Sequence, residues 1–140
     1  MRSRGHWRRK LELGGSTVPF VLAGGRSEPD AQAPQLARTV SSHFPAWRPT
    51  IAEVLFEHYQ PYAEAVASGE APEPSTPLPR IGAPSDVWPH AVLVFVAVTP
   101  IDRALAIEFG FTTAWGAEHT LGARFQGGKL LELNGSVLPP

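Results

Sequence analysis

The chain of 140 residues contains no cysteine and no long apolar run. Without cysteine it has no disulfide, no thiolate metal site and no cysteine nucleophile, and a reducing compartment is favoured. The longest apolar stretch, residues 91–98, is far shorter than the roughly 20 residues that a membrane-spanning helix needs. The basic N-terminus lacks the apolar region of a signal peptide. We therefore expect a soluble, cytoplasmic protein without a membrane partner.

Acidic and basic residues nearly balance, at a net charge of −1. The first ten residues carry five positive charges and no acid, so the rest of the chain is net negative. A basic arm of this kind could contact phosphates, but no second basic patch follows it. A solvated terminus, flexible over residues 1–5, is the favoured interpretation, and a nucleic-acid partner is not expected.

Proline and glycine are frequent, with 15 and 13 residues, and they divide the chain into elements. Residues 6–13 and 16–23 alternate apolar and polar side chains on either side of Gly14 and Gly15. This pattern predicts a β-hairpin with a two-residue turn. Because Pro19 has no N–H to donate, the second strand is predicted to be an edge at that point.

Two helices are predicted next. The first covers about residues 34–43 and is stopped by Pro45. The second begins at Thr50, which opens a capping-box pattern, and continues to Gly69, with Pro61 as a kink. Its apolar stripe consists of Ile51, Leu55, Tyr59, Tyr62 and Val66.

Residues 69–90 contain six prolines and little apolar content, which predicts a long irregular loop. The segments before and after this loop have too little hydrophobic surface to fold comfortably alone. We therefore predict a single domain over residues 1–140.

The C-terminal part predicts four strands. The first is apolar on both faces, as is typical of a central strand, and the second alternates, with Glu108 facing away from the core. Gly127 and Gly128 form the turn between the last two. This order predicts an α+β fold: an antiparallel sheet, made of the N-terminal hairpin plus four C-terminal strands, with two helices packed on one face. The strands are residues 91–98, 105–113, 121–126 and 129–134.

Glu118 and His119 adjoin at a predicted strand end, close to Trp115. A carboxylate beside an imidazole could act as an acid/base pair or as two metal ligands. Neighbouring residues of a strand point to opposite faces, however, and no further ligand pattern accompanies them. The favoured interpretation is that Glu118 or His119 bonds to turn backbone groups and fixes the hairpin register, ahead of binding and then catalysis.

Other residues could contribute to a site. His90 lies at the mouth of the central strand and would join His119 if the strands bring them together. His58 shares a helix with Glu53 and Glu57, and a partly buried histidine on a solvated face is favoured over a cation site. No cofactor and no metal site are predicted. The tryptophans favour core anchoring, although one or two in a cleft could bind a partner; they are Trp7, Trp47, Trp88 and Trp115.

The string WGAEHTLGARFQGGKLLELNG resembles the C-terminal part of a family of small bacterial proteins of unknown function. That family's pattern is Trp-Asp-x-Glu-His-x-x-Gly, then a strand, a glycine turn and a strand. Trp115, Glu118, His119 and Gly122 match it, and Gly116 stands where the family has aspartate, which weakens an enzymatic interpretation. Related small domains are often encoded near toxins or secretion systems, so the resemblance implies an immunity or adaptor role.

The sequence therefore predicts a non-enzymatic module that binds a protein partner through sheet-edge or loop contacts, with Trp115, Glu118, His119 and His90 as binding residues. The alternative is a small metal-assisted or acid/base hydrolase centred on Glu118 and His119, supported by His90 or Glu108. The sequence leaves the oligomeric state open.

Overall fold

A computed structural model of the chain describes residues 2–3, 6–13, 16–23, 29–72, 77–101, 104–116 and 119–137. Within them lie seven strands, one α-helix and one 3-10 helix. The elements, in chain order, are β1 Arg2–Ser3, β2 His6–Leu13, β3 Ser16–Ala23, α1 Pro29–Ser68, the 3-10 helix Pro84–His90, β4 Ala91–Ile101, β5 Ala104–Thr113, β6 Thr120–Gln126 and β7 Lys129–Val137.

In the described part of the chain, the strands form one sheet in chain order from β1 to β7. Neighbouring strands are antiparallel except β3 and β4, which are parallel. The α+β fold is confirmed, but the prediction of an antiparallel sheet is wrong for this pair, because α1 carries the chain back before β4 begins. β1 pairs with the start of β2 and adds a seventh strand inside the terminus that the sequence predicts to be flexible.

The helical region is one continuous helix, α1, instead of the two predicted. Its buried side chains keep helical spacing across Pro45 and Pro49, so the predicted stop at Pro45 and start at Thr50 are wrong. Pro45, Pro49 and Pro61 are exposed, and water can therefore bond to the carbonyl groups that lose an N–H donor. α1 ends just before Gly69, as predicted. The buried stripe is Val40, Phe44, Trp47, Ile51, Leu55 and Tyr59.

Although α1 has 40 residues, no helix among the described residues is long and apolar enough to cross a membrane. One face of the sheet packs against α1 and the 3-10 helix. The rings of Trp47 and Phe125 stack there with their centroids 4.6 Å apart. The large aromatic side chains of this core are Phe20, Phe44, Trp47, Phe109, Phe111, Trp115 and Phe125.

Pro19 limits the parallel pairing in the middle of the sheet. In a two-residue hairpin, hydrogen-bonded and non-hydrogen-bonded pairs alternate from the turn, and Lys10–Pro19 is a pair of the second kind. The nitrogen of Pro19 therefore faces β4 and cannot donate to it. Register pairs between β3 and β4 begin at Phe20, opposite Val96. β3 is thus an internal strand, and the predicted edge character applies only beside its proline.

The proline-rich segment after α1 is attached to the helix by Tyr59. The Tyr59 hydroxyl donates to the carbonyl oxygen of Pro79 at 2.6 Å and accepts from the N–H of Ile81 at 3.3 Å. Where the sequence predicts the end of a loop, Pro84–His90 form the 3-10 helix, and Pro84 lies in its first turn, where a fixed φ is favourable. Ile81 and Val87 are buried, so this segment closes one side of the core.

The face of the sheet opposite α1 has its own buried ring. Phe95 is 2% exposed, and it pairs with Gly110 on β5. A Cβ atom on Gly110 would lie only 2.0 Å from the Phe95 ring, so the ring lies flat on the glycine. The next residue across is Gly122, where the Glu108 carboxylate takes the same position. Glycine is needed at Gly110 because a buried ring crosses the backbone closely, and Gly122 leaves room for the Glu108 carboxylate.

β7 is an edge strand with features that oppose pairing with a further chain. Its register against β6 shifts at two places, and bulges of this kind interrupt the row of backbone groups that another strand would use. The N–H of Ser136 is already bonded to the side-chain oxygen of Asn134 at 3.1 Å. Partner binding along the edge of β7 is therefore disfavoured.

Replacing Gly110 by alanine tests the packing of Phe95. The added methyl group would collide with a buried ring, and overpacking of this kind lowers the free energy of unfolding by about 1–3 kcal/mol. Gly135→Ala is the matched control, because a Cβ there meets no atom within 4 Å, and alanine is expected to be neutral or slightly stabilising in a strand. Urea unfolding measures both. Equal stabilities of the two variants would contradict this packing.

Candidate functional site

Trp115 follows β5 and is 4% exposed. Its indole N–H donates to Nδ1 of His58 in α1 at 3.0 Å, and its ring meets that of Tyr59 edge-on, with the centroids 5.5 Å apart. A buried indole N–H requires such an acceptor. Trp115 thus fixes the end of β5 to the helix, and the binding role predicted for it stays a prediction.

His58 accepts this hydrogen bond only when Nδ1 carries no proton. Burial lowers the pKa of His58, and the nearby His119 lowers it further. The ring of Tyr62 lies beside the imidazole, with the centroids 5.4 Å apart. At neutral pH the imidazole is therefore neutral and held in the tautomer that carries its proton on Nε2.

The predicted set of Glu118, His119 and His90 is brought together only in part. His119 is exposed and lies close enough to His58 to affect its pKa, whereas Glu118 lies outside the described residues. The carbonyl oxygen of His90 accepts a hydrogen bond from the N–H of Ala114 at 2.9 Å. The backbone of His90 therefore reaches the corner formed by His58, Trp115 and His119, which is called the corner below. In the ranges that the structure describes, no hydrogen bond or ring contact joins His90 to His119 and no three His, Asp or Glu residues form a metal site.

Glu108 lies on the face of the sheet away from His58, as its strand alternation predicts. Arg124, its neighbour on β6, donates from Nε to Glu108 Oε2 at 2.5 Å and from a terminal nitrogen to Glu132 Oε2 at 3.2 Å. The hydrogen bond with Glu108 raises the pKa of Arg124. These three side chains link β5, β6 and β7, so Glu108 is engaged in the sheet and away from the His119 corner.

A second candidate site is the groove where the 3-10 helix packs on α1. This groove has a volume of about 560 Å³, within the range of about 300–1,000 Å³ that is typical of ligand sites. Pro45 and Pro49 of α1 face Pro84 of the 3-10 helix across it. Arg48, which is exposed, places its guanidinium group over the ring of Trp88, 4.4 Å from the centroid. Both side chains line the groove.

A smaller pocket lies on the other side of Arg48 and Trp88, with a volume of about 230 Å³. Most of its lining residues are apolar or aromatic, and among those that the structure describes Arg48 alone is charged. Leu93 of this lining adjoins the β4 bulge. The lining also includes Leu13, Phe44 and Phe111. A pocket between apolar residues with one cationic group suits a ligand with an apolar group and a negative charge.

Comparison with known families covers nearly the whole chain. A family model described as a domain of unknown function matches residues 3–137. The chain belongs to the DUF6985 family. The expectation of a family of unknown function is thereby confirmed, and the match extends from β1 to the end of β7, through both candidate sites. No curated protein and no solved structure matches the chain. The description of DUF6985 names no function.

Sequence reasoning did not identify Arg48 or the bond from Trp115 to His58. Arg48 could have been found from its angular position around α1. Because Phe44 and Trp47 lie on one buried stripe, Arg48 lies at the border of that stripe. The bond between Trp115 and His58 joins residues 57 positions apart, and no local pattern reports it. Trp88 is one of the tryptophans that the sequence offers for a cleft.

The His58–Trp115 bond predicts that stability depends on pH. Because the pKa of His58 lies below its ordinary value of 6.5 in the folded chain, the unfolded chain binds the proton more readily. The stability that neutral His58 contributes is complete above about pH 6.5 and is lost as the pH falls through the lowered folded pKa.

We expect His58→Gln to flatten this part of the profile, measured by urea unfolding from about pH 8 to about pH 5. Ser41→Gln is the control, because Ser41 is exposed on the same helix and carries no group that titrates in this range, so its replacement should leave the wild-type slope. If the His58 variant keeps that slope, His58 is not the group responsible.

Proposed function

We propose that the chain is a non-enzymatic module that binds an extended segment of a protein partner in the groove between α1 and the 3-10 helix. The observation that carries the proposal is the exposed Arg48 stacked on Trp88, both of which line a groove of about 560 Å³. Arginine and tryptophan are the side chains that contribute most often to binding energy at protein interfaces. A guanidinium held on an aromatic ring keeps its N–H edges free for a partner.

The groove is suited to binding because its walls are rigid before a partner arrives. Pro45, Pro49 and Pro84 have fixed φ angles, and Tyr59 fixes the segment that leads to the 3-10 helix. A preformed site loses little conformational entropy when it is filled, so more of the contact energy is retained as affinity. The bulged edge of β7 offers no comparable surface.

The finer predictions from sequence fit this proposal. A bacterial, cytoplasmic immunity or adaptor protein acts by binding another protein, and Trp115 and His119 would stabilise the corner next to His90, the last residue of the 3-10 helix. The alternative, a hydrolase centred on Glu118 and His119, gains no support from the described residues, because Glu118 lies outside them.

Blocking the groove tests the proposed function. Ser85 is exposed and lines the groove on the side of the 3-10 helix, so Ser85→Trp should fill it without disturbing the core. Short peptides selected from a random library against the wild-type chain should bind with a Kd in about the micromolar range and lose at least about tenfold in affinity for this variant.

The control for that experiment is Ser42→Trp, because Ser42 is exposed on α1 and outside the groove lining. It should bind the selected peptides as the wild type does. A library that yields no binder, or binders that are indifferent to Ser85→Trp, would refute the proposed function.

A further inference from the structure

We propose that the bound segment is the C-terminus of the partner. In this arrangement Arg48 binds the terminal carboxylate, and the pocket of about 230 Å³ receives the apolar side chain of the last residue. The inference rests on the proposed function. It specifies which end of the partner chain binds and which chemical groups are recognised.

The size of the smaller pocket sets the size of its occupant. About 230 Å³ lies below the range of about 300–1,000 Å³ found for cofactors and drug-sized ligands. One apolar side chain fits this volume and the walls formed by Leu13, Phe44 and Phe111. A larger cofactor does not.

The charge of the site indicates a carboxylate. Arg48 contacts both the pocket and the groove, and the described residues include no ion pair for it. A guanidinium group binds a carboxylate through two parallel N–H···O bonds.

The close contact between pocket and cation favours a chain terminus over an internal acidic residue. A C-terminal residue carries its carboxylate and its side chain on the same Cα atom, so both can reach neighbouring subsites at once. In an extended segment, an internal Asp or Glu and the apolar residue next to it point to opposite sides. Residues two positions apart share a side but lie about 6.6 Å apart, farther than a carboxylate and a side chain on one Cα atom.

Glu53 favours a basic residue upstream of the terminus. It lines the groove beyond Arg48 and has no ion pair among the residues described. Arg48 and Glu53 are five steps apart on α1, which places them about 7.5 Å apart along the axis and about 140° apart around it, at about 1.5 Å and about 100° per residue. Both line the groove, so a basic side chain upstream of the free carboxylate could pair with Glu53 while Arg48 binds the terminus.

Synthetic peptides test this inference directly. The probes are acetylated peptides of the form Ala-Ala-Lys-Ala-X, in which X is Val, Leu, Ile, Met or Phe, each made with a free carboxylate and with a C-terminal amide. Binding to the full chain is measured by isothermal titration calorimetry. We expect at least one free acid to bind with a Kd below about 1 mM and its amide to bind at least about tenfold more weakly.

Two variants assign the parts of the interaction. Arg48→Gln should make acid and amide bind equally, whereas Arg38→Gln, at an exposed arginine of the same helix outside the groove lining, should keep the difference. Glu53→Gln should remove the preference for lysine over glutamate at the third position and keep the preference for the acid. Thermal unfolding confirms that each variant is folded.

The outcomes separate this inference from the proposed function. If library peptides bind in the groove but amidation does not weaken them, the groove is a protein-binding site and the inference is wrong. The inference also fails if none of the free acids binds, or if Arg48→Gln still distinguishes acid from amide. If Ser85→Trp has no effect on any binder, the proposed function fails as well.

Discussion

Stacking of Trp47 in α1 on Phe125 in β6, with their ring centroids 4.6 Å apart, sets the rotation of the helix on the sheet. Phe109 of β5 meets both rings, Trp47 at 5.8 Å and Phe125 at 5.9 Å. Aromatic pairs in such geometries add about 0.5–1.5 kcal/mol each beyond the area that they bury. A rotation of α1 would break these contacts together, so the helix has one favourable phase. That phase holds Arg48, the next residue after Trp47, at the surface and over Trp88.

The same burial explains where sequence reasoning succeeds and where it fails. Strand alternation is a local signal, and it predicts the hairpin strands and the three strands from β5 to β7 to within a few residues. The helix break at Pro45 fails because a proline inside a helix costs about 3 kcal/mol, while each large side chain on the stripe gains about 1.5–3 kcal/mol when fully buried. Phe44, Trp47 and Ile51 flank the prolines and are all buried. The helical spacing of these apolar residues continues past Pro45 and Pro49, and this pattern predicts a single continuous helix.

Contacts between residues that are distant in the sequence could not be predicted, because no local sequence pattern reports them. The parallel pairing of β3 with β4 depends on where α1 returns the chain, and its short ladder depends on which side of β3 the nitrogen of Pro19 faces. The register of the hairpin shows which side of β3 this nitrogen faces, but the consequence for pairing appears only when β3 is known to be an internal strand. In the candidate sites, His58 meets Trp115 across 57 positions, and Arg48 meets Trp88 only because the proline-rich segment folds back on α1.

The two candidate sites differ in what a ligand would displace. At the corner, the N–H of Trp115 and Nδ1 of His58 already satisfy each other, so a ligand would have to compete with a bond that also fixes the fold. Breaking it would leave a buried donor without a partner, at a cost of about 1–3 kcal/mol. In the groove, the guanidinium of Arg48 contacts a ring face, and a carboxylate can bind its N–H edges without removing that contact. A ligand at the groove would therefore keep the existing contact, whereas a ligand at the corner would have to break one, which is why the proposed binding site is beside Trp88 and Trp115 is assigned a structural role.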